Sequence, residues 1–135
     1  MFTCGDILEI SYKHPTLGGG TWFPKSSEDG TIDPGGNRSN DDENMVTSDG
    51  QMIDQINRKR WSFEGVVAWD MAVQDELEQA RKLTASPVLA DWTVTHINGV
   101  VFGGKGKPVG DIKGNTNTAQ MSIKIAGGGQ LIKIS

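Results

Sequence analysis

Apolar and polar positions alternate along three stretches of the chain, with the two-residue period of half-buried β-strands. The stretches cover residues 7–12, the second half of residues 51–69, and residues 116–126. In the middle stretch, Trp61 and Phe63 lie on the same face of the predicted strand. The pattern therefore predicts a mainly β protein with aromatic side chains in its core.

Two dipeptides mark tight turns between strands, because a type I′ turn needs positive φ at both central positions. Asp49-Gly50 predicts a hairpin with arms at residues 40–48 and 51–69. Asn98-Gly99 predicts a second hairpin over residues 90–104. Strand pairing in this protein is therefore expected to be largely antiparallel.

The first hairpin has no cleanly apolar face near its turn. Met52, Ile53 and Ile56 stand there among charged and amide side chains. A hairpin of that composition cannot be buried on both sides against its own domain, so we expect it to extend into solvent or to lie against a neighbouring chain. The preceding loop, residues 26–40, is long for a compact domain and is expected to make contacts as well.

A helical period follows the first hairpin and predicts one α-helix at about residues 70–85. Val73 and Ala80 belong to a single apolar stripe at helical spacing. Asp70 is the predicted N-cap, because its carboxylate can accept an unpaired backbone N–H, and Pro87 ends the helix. One apolar stripe and one polar face place this helix on the outside of the sheets.

These elements predict a single domain of the mainly β (β+α) class. At 135 residues, the chain is long enough for one hydrophobic core. We expect a two-sheet β-sandwich or barrel, one flanking helix and the long charged hairpin. Residues 103–114 are predicted to be a glycine-rich loop, and residues 127–129 a glycine hinge before a short apolar tail. The tail could pair within the chain or at the edge of another chain.

Charge and composition argue against several classes of function and of site. The formal charge of −4 argues against a protein that grips nucleic-acid phosphates, since such binding needs a basic face. The single cysteine, Cys4, excludes an internal disulfide and a cysteine-rich zinc site. We expect neither a signal peptide nor a membrane span, because no basic leader and no run of roughly 20 apolar residues occurs. The expected protein is soluble and made in a cytoplasm.

The chain carries only partial patterns of catalytic or ligand-binding sites. Residues 99–105 match the start of a phosphate-binding loop, but Gly106 stands where a Ser or Thr should hold magnesium. The acidic run 41–43 lacks the spacing of a calcium loop. His14 is interpreted as a loop residue, and His96 as a core or interface histidine. We therefore expect no enzymatic activity, no metal and no cofactor.

The order of elements resembles that of the tail tube proteins of tailed bacteriophages and, by extension, the inner tubes of related secretion systems. The resemblance covers residues 5–129 and rests on a strand, a long loop, the charged hairpin NMVTSDGQMIDQINRKRWSFEG, the helix DELEQARKL, the hairpin ADWTVTHINGVVFGG and the closing strand AQMSIKIAGGG. It implies a virion protein, made in the host cytoplasm, whose copies form stacked rings of usually six subunits. A continuous β-barrel would then surround a channel for DNA.

In that interpretation, three groups of residues have expected roles. Acidic side chains would line the channel, because like charge repels the phosphates of passing DNA; the candidates are Asp41, Asp42, Glu43 and Asp54. Contacts between subunits are expected at Met52, Ile53, Ile56, Arg58, Lys59 and Arg60. Ring stacking is expected at Asp29, Asp33, Arg38 and Lys133. The implied partners are copies of the chain and sheath, baseplate and neck proteins, with DNA passing without specific binding and no membrane.

Two alternatives stay open at this point. Another ring-forming tail component, such as a neck, completion or terminator protein, would cap a tube with a single ring. A monomeric binding module would use the loop that carries Trp22 and Phe23 as its ligand surface. Association at rising protein concentration separates these alternatives from a tube.

Overall fold

The computed structural model of the chain describes residues 4–39, 46–53 and 56–134. Over these ranges the protein is mainly β, with antiparallel strands and one α-helix, as the alternating pattern predicts. The elements in chain order are β1 (Ile7–His14), β2 (Gly18–Trp22), β3 (Thr31–Asp33), β4 (Gly36–Ser39), β5 (Ile56–Lys59), β6 (Trp61–Ala68), α1 (Glu76–Ala85), β7 (Ala90–His96), β8 (Val101–Pro108), β9 (Lys113–Asn115), β10 (Gln120–Gly127) and β11 (Ile132–Lys133).

Nine strands form one sheet in the order β2-β1-β7-β8-β10-β6-β3, with β11 paired to β8 and β9 paired to β10. β8 links the two halves of this sheet, because it pairs with β7 up to Gly106 and then with β10 at Lys107 and Pro108. On the other side, the segment after β2 returns to β6 through the bridge between Pro24 and Val67. Within the described ranges the sheet stays open and does not close into a barrel.

Glycines in β8 let the backbone approach its neighbours closely where the two halves meet. A Cβ on Gly106 would lie 2.3 Å from the carbonyl oxygen of Ala126 and 2.9 Å from the ring of Trp61. The same indole donates its N–H to the carbonyl of Lys105 at 3.0 Å. Residues 103–108, predicted to be a loop, are therefore a strand, since the glycines serve close packing there and not a turn.

Three aromatic rings lie at the centre of the core. Tyr12 of β1, Trp22 of β2 and Trp92 of β7 have ring centroids 5.3 to 5.5 Å apart. Gln79 of α1 reaches this cluster, and its Oε1 accepts hydrogen bonds from Trp22 Nε1 at 2.8 Å and Tyr12 OH at 3.2 Å. Helix and sheet are thereby joined through partly buried polar groups. The buried cluster also contains Ile10, Trp61, Phe63, Val67, Ala80, Leu83, Ala90, Val94, Met121, Ile123, Ile125 and Leu131.

The helix begins later than the sequence pattern predicts. Its N-cap is Asp75, whose carboxylate accepts the backbone N–H of Glu78, so the prediction of Asp70 as N-cap is wrong. Asp75 and Glu78 stand at the spacing of a capping box, of which only the bond from the Glu78 N–H to the Asp75 carboxylate is formed; the Asp75 N–H donates to the carbonyl of Asp70 instead. The helix ends at Ala85, as predicted from the following proline. In the described part of the chain, no helix has the length and apolar character needed to cross a membrane.

Residues 70–74 form a turn between β6 and α1 instead of the first turn of the helix. Asp70 accepts the backbone N–H groups of Ala72 and Val73 at 3.2 and 3.3 Å. The side chain of Val73, assigned to the apolar stripe, is 82% exposed. The prediction failed there because Val73 has the helical spacing of the stripe but lies before the cap.

The first hairpin also differs from its prediction. Its second arm consists of two strands, because β5 pairs with β4 while β6 pairs with β10 and β3 in the main sheet. Trp61 and Phe63 are buried in the core, and their burial favours the pairing of β6 with the main sheet. Near the tip, the N–H of Thr47 donates to the carbonyl of Gln51 at 2.8 Å across Asp49-Gly50.

Candidate self-assembly surface

A two-stranded ribbon, made of β4, β5 and the turn at residues 46–53, leaves the main sheet directly after β3. At its root, Gly35 and Gly36 have φ of 71° and 88°, which glycine adopts without strain. A Cβ on Gly35 would lie 2.6 Å from the backbone nitrogen of Trp61. Gly35 also pairs with Gln130 of the C-terminal segment. The root of the ribbon is therefore packed tightly against the domain.

Asp33 joins both strands of the ribbon to the main sheet. Its carboxylate contacts the guanidinium of Arg38 on β4 and lies 3.1 Å from Nζ of Lys59 on β5. The N–H of Gly35 donates to the same carboxylate at 3.0 Å, and this bond, followed by the one from Lys59, lowers the pKa of Asp33. Asp33 and Arg38, both expected at ring contacts, are thus paired with each other inside the chain.

The ribbon exposes apolar side chains along its length. All four residues of β5 are exposed, including Ile56 at 61%. In the turn, Met52 is 66% exposed, and Val46 and Ile53 are exposed as well. Large apolar side chains that cluster on a surface mark interaction sites. These side chains do not belong to the buried cluster of the domain.

Three consecutive basic residues lie where the ribbon meets the domain. Arg58, Lys59 and Arg60 line a cleft of about 430 Å³, together with the backbone of Gly128 and Gly129. Lys59 is bound to the Asp33 carboxylate. Within the described residues, Arg58 and Arg60 have no ion-pair partner, and both are exposed. The cleft is therefore lined by two guanidinium groups that have no ion-pair partner among the described residues.

A second exposed apolar site lies at the other end of β6. In the turn at residues 70–74, Met71 is 50% exposed and Val73 is 82% exposed. Residues 70–78 contain four carboxylates and no basic residue. The sequence prediction missed this site because it assigned Val73 to the helix. The capping-box spacing of Asp75 and Glu78 is the signal that would have separated turn from helix.

The C-terminal tail pairs within the chain, one of the two arrangements expected for it. β11 pairs with β8, with Ile132 opposite Gly103. Ile132 and Ile134 are 64% and 61% exposed, and Lys133 between them is exposed too. The C-terminal segment therefore adds exposed apolar side chains in a third region of the surface.

The other predicted site residues fall into two sets. Asp29 lies exposed in the loop between β2 and β3, away from the ribbon strands. The channel-lining candidates Asp41, Asp42, Glu43 and Asp54 lie outside the described residues. Of the residues expected at the binding loop, Trp22 is completely buried and only Phe23, at 52%, is exposed. The assignment of Trp22 to a loop is therefore wrong, and the binding-module alternative loses Trp22 as a surface residue.

His14 is a structural residue at the end of β1, and its assignment to a loop is wrong. Its side chain is buried, and Nδ1 accepts the backbone N–H groups of Thr16 and Leu17 at 3.1 and 3.0 Å. Nε2 lies 3.0 Å from Ser86 Oγ and 3.1 Å from the carbonyl of Val88. These contacts require the tautomer that carries its proton on Nε2. The ring thus links the β1–β2 turn to the segment after α1.

Clusters of metal-ligating residues do not occur in the described ranges, where no group of three or more His, Cys, Asp or Glu side chains could hold an ion. A cleft of about 440 Å³ on the outer face of β6 and β10 is lined by Asp29, Glu64, Asp111 and Lys124, among others. In it, Lys124 and Glu64 form an ion pair at 3.2 Å with both side chains largely in solvent. This cleft presents a mixed-charge surface of the sheet.

No protein-family model matches the chain, and no curated protein matches it significantly. The functional argument therefore rests on the geometry of the ribbon, the sheet and the exposed apolar sites.

Proposed function

We propose that this chain is a virion structural protein, the subunit of a phage tail tube. Copies of it assemble into rings, with six subunits as the expected number, and the rings stack into a tube. DNA passes through the channel during genome delivery without specific binding. The proposed location is the tail of the virion, with sheath, baseplate and neck proteins as further partners.

The observation that carries this proposal is a rigidly anchored ribbon that has no core of its own. Asp33 and Gly35 fix its root to the main sheet, yet Met52 and Ile56 stay in solvent. Leaving two such side chains exposed forgoes about 1.5–3 kcal/mol of burial for each. A contact arm needs a fixed root and exposed apolar side chains. The fixed root orients the arm before the partner binds, which lowers the entropic cost of binding.

The sheet supports the finer architecture, a two-sheet sandwich or barrel with the helix on its flank. The shared strand β8 and the bridge between Pro24 and Val67 bring the two halves of the sheet together at both sides. α1 packs on this body through Gln79 and leaves its polar face to solvent. In the proposed ring, open edges such as those of β2 and β3 pair with neighbouring subunits, which removes the aggregation hazard of free edges.

The sequence also supports a channel that does not bind DNA. The net charge is −4, and the candidates Asp41, Asp42, Glu43 and Asp54 add negative charge near the ribbon in sequence. A negatively charged wall repels phosphate, so DNA can slide. Charge reversal at Asp54 is expected to leave the fold intact and to impair tube assembly or DNA passage.

Growth of the assembly with concentration tests the proposal. Light scattering of the purified protein at rising concentration should show particles of increasing length, and negative-stain electron microscopy should show rods with a central channel. A protein that stays monomeric over the whole range would contradict the proposal. Single rings that never lengthen would favour a neck, completion or terminator protein. Rods that retain bound DNA at physiological salt would contradict the free passage of DNA.

A further inference from the structure

We infer that the C-terminal segment, residues 128–134, is a detachable clasp that holds the ribbon in one orientation. The clasp docks on β8 and, at the same time, on the root of the ribbon, residues 34–36. Its release frees the ribbon while the domain stays folded. The effect of the clasp on assembly rests on the proposed function, whereas its grip on the ribbon does not.

The clasp continues β10 along the same side of β8. Ala126 of β10 stands opposite Lys107, and Ile132 of β11 stands opposite Gly103. Between these two positions the clasp side advances by six residues, while β8 covers only four. Two residues are therefore extra, so the chain must bulge away from β8 before it reaches β11.

The bulge is the part of the clasp that reaches the root of the ribbon. Gln130 forms a β-bridge with Gly35, and the N–H of Leu131 donates to the carbonyl of Pro34 at 2.8 Å. The side chain of Gln130 occupies the space that a Cβ on Gly36 would need. Backbone hydrogen bonds are directional, so the root is held at a defined angle as long as the clasp is docked.

Leu131 is the anchor of the clasp. Its side chain is only 7% exposed and belongs to the buried cluster of the domain. Glycines of β8 leave room for the docked segment, since a Cβ on Gly104 would lie 3.2 Å from Leu131 Cδ1 and one on Gly103 would overlap Ile134. The N–H of Ile134 donates to the carbonyl of Val101 at 2.7 Å, which closes the contact with β8.

The clasp can detach without dismantling the core. Of residues 128–134, Leu131 alone is buried, and the strand β11 spans two residues. Gly128 and Gly129 precede the anchor, and glycine tolerates the change of backbone conformation that undocking requires. Segments that bury little apolar surface open at a lower free energy than the whole domain.

The ribbon depends on this support, because an isolated two-stranded ribbon is at best marginally stable in water. Asp33 ties β4 and β5 to the end of β3 through its contacts with Arg38 and Lys59. The clasp adds a link from the root to β8, in the middle of the sheet. A ribbon without its clasp keeps the Asp33 contacts but loses the link that sets its orientation.

Removal of the anchor tests the clasp in the full chain. In Leu131→Ala, hydrogen exchange of the backbone amides at residues 35–39 and 56–59 should become about tenfold faster or more, since the loss of a buried leucine side chain shifts an opening equilibrium by at least that factor. Amides of β1 and β7 should keep their native rates. Ile132→Thr is the matched control, because it changes an exposed, β-branched residue of the same strand; it should leave the ribbon unchanged.

The native protein supplies a second measurement that needs no variant. The amides of Leu131 and Ile134 should exchange through the same opening event as those at residues 35–39, with a free energy of opening below that of β7. Clasp amides that open only together with β7 would overturn the detachable clasp. Amides at residues 35–39 that open independently of the clasp would overturn its grip on the ribbon.

The outcomes for Leu131→Ala decide between a clasp and a core residue. A folded variant with native exchange in the ribbon would overturn the clasp. Exchange that becomes faster to the same degree in β1, β7 and the ribbon would also overturn it, since Leu131 would then support the core as a whole.

Assembly provides a separate test. Leu131→Ala should need a protein concentration about tenfold higher than the native protein to form rods, because a free arm must be ordered at the moment of binding. Rods at the native concentration from a variant with a released ribbon would overturn the effect on assembly and leave the grip on the ribbon standing. A native protein that never assembles would overturn the proposed function, while the exchange measurements would still decide the grip.

Discussion

Trp22 of β2 and Gln79 of α1 are joined by a hydrogen bond of 2.8 Å from the indole Nε1 to the amide Oε1. The same oxygen accepts the hydroxyl of Tyr12 at 3.2 Å, so one amide satisfies two aromatic donors of the core. This contact decides which face of the helix lies on the sheet. A buried donor without a partner is costly, which makes the arrangement specific.

Gln79→Ala should lower the free energy of unfolding by about 2–4 kcal/mol, because the Trp22 N–H and the Tyr12 hydroxyl lose their acceptor and the helix loses packing. Chemical denaturation monitored by tryptophan fluorescence measures this change. Gln79→Glu keeps an acceptor oxygen at the same position and should cost less. Equal losses for both variants would contradict the role of this oxygen as the acceptor of the two aromatic donors.

High pH should weaken the fold through Tyr12. Burial raises the pKa of the Tyr12 phenol above its ordinary value of about 10. The folded protein therefore holds this proton more tightly than the unfolded chain does. The associated stability is complete below about pH 10 and is lost as the pH rises through the folded pKa.

This effect can be measured by comparing unfolding curves of the native protein and Tyr12→Phe between about pH 8 and pH 11. The range extends about one pH unit or more to each side of the ordinary phenol pKa of about 10. The native protein should lose more stability with rising pH than the variant. Parallel pH profiles would mean that Tyr12 ionises in the folded state as freely as in the unfolded chain.

Asp33→Asn should loosen the ribbon without unfolding the domain, because Arg38 and Lys59 lose the charge that holds both strands. Trypsin, which cuts after basic residues, should then cleave the ribbon faster at Arg38, Arg58 or Lys59. Asp111→Asn is the matched control, since that carboxylate is exposed and meets only Lys113 at 3.8 Å.

Acid should act on the same contact. The pKa of Asp33 is lowered, chiefly by the N–H of Gly35 and then by Lys59. The contact is therefore complete above the ordinary carboxylate pKa, near 4, and is lost as the pH falls through the lower pKa of the folded state. A chemical shift titration of the Asp33 carboxyl carbon should give a midpoint below the ordinary carboxylate pKa of about 4. A midpoint at the ordinary value would contradict the contact of Asp33 with Gly35 and Lys59.

Gly106→Ala should lower the free energy of unfolding by about 3 kcal/mol or more, because the added Cβ would meet the Ala126 carbonyl at 2.3 Å and the Trp61 ring. Thermal unfolding measures the loss. Gly128→Ala is the matched control, since nothing lies within 4 Å of a Cβ there and no positive φ is required. A mild effect at Gly106 would mean that the two halves of the sheet are less tightly joined than the structure indicates.

Local sequence patterns predicted much of the fold. Alternation in residues 116–126 predicted the buried positions Met121, Ile123 and Ile125 of β10, although the strand itself begins at Gln120. Asn98-Gly99 predicted the turn between β7 and β8, where Gly99 has φ of 91°. The type I′ conformation expected there is wrong, because φ is positive at Gly99 but not at Asn98. The strand alternation and the tight turn depend on a few adjacent residues, so they can be predicted from the local sequence.

The candidate site was less predictable. Mixed polarity at Met52 and Ile56 predicted an exposed arm, and both side chains are exposed in the structure. The pairing of Asp33 with Lys59 was not predicted, because it depends on β4 and β5 meeting although sixteen residues of chain, 40–55, separate them. The turn with Met71 and Val73 was missed because the apolar residues before Asp75 keep the helical spacing. The helix itself begins only after the N-cap at Asp75.

The sequence by itself determined the strand periods, the Asn98-Gly99 turn, the end of the helix and the net negative charge. Each of these follows from neighbouring side chains or from composition. Tertiary structure alone decided that Gly106 belongs to a strand, that Trp22 is buried against Gln79, and that the predicted arm at residues 51–69 divides between ribbon and sheet. The reason is that large aromatic side chains are most stable when buried, so the strands that carry them pack in the core. Distant residues must then be small where their backbone packs against these rings.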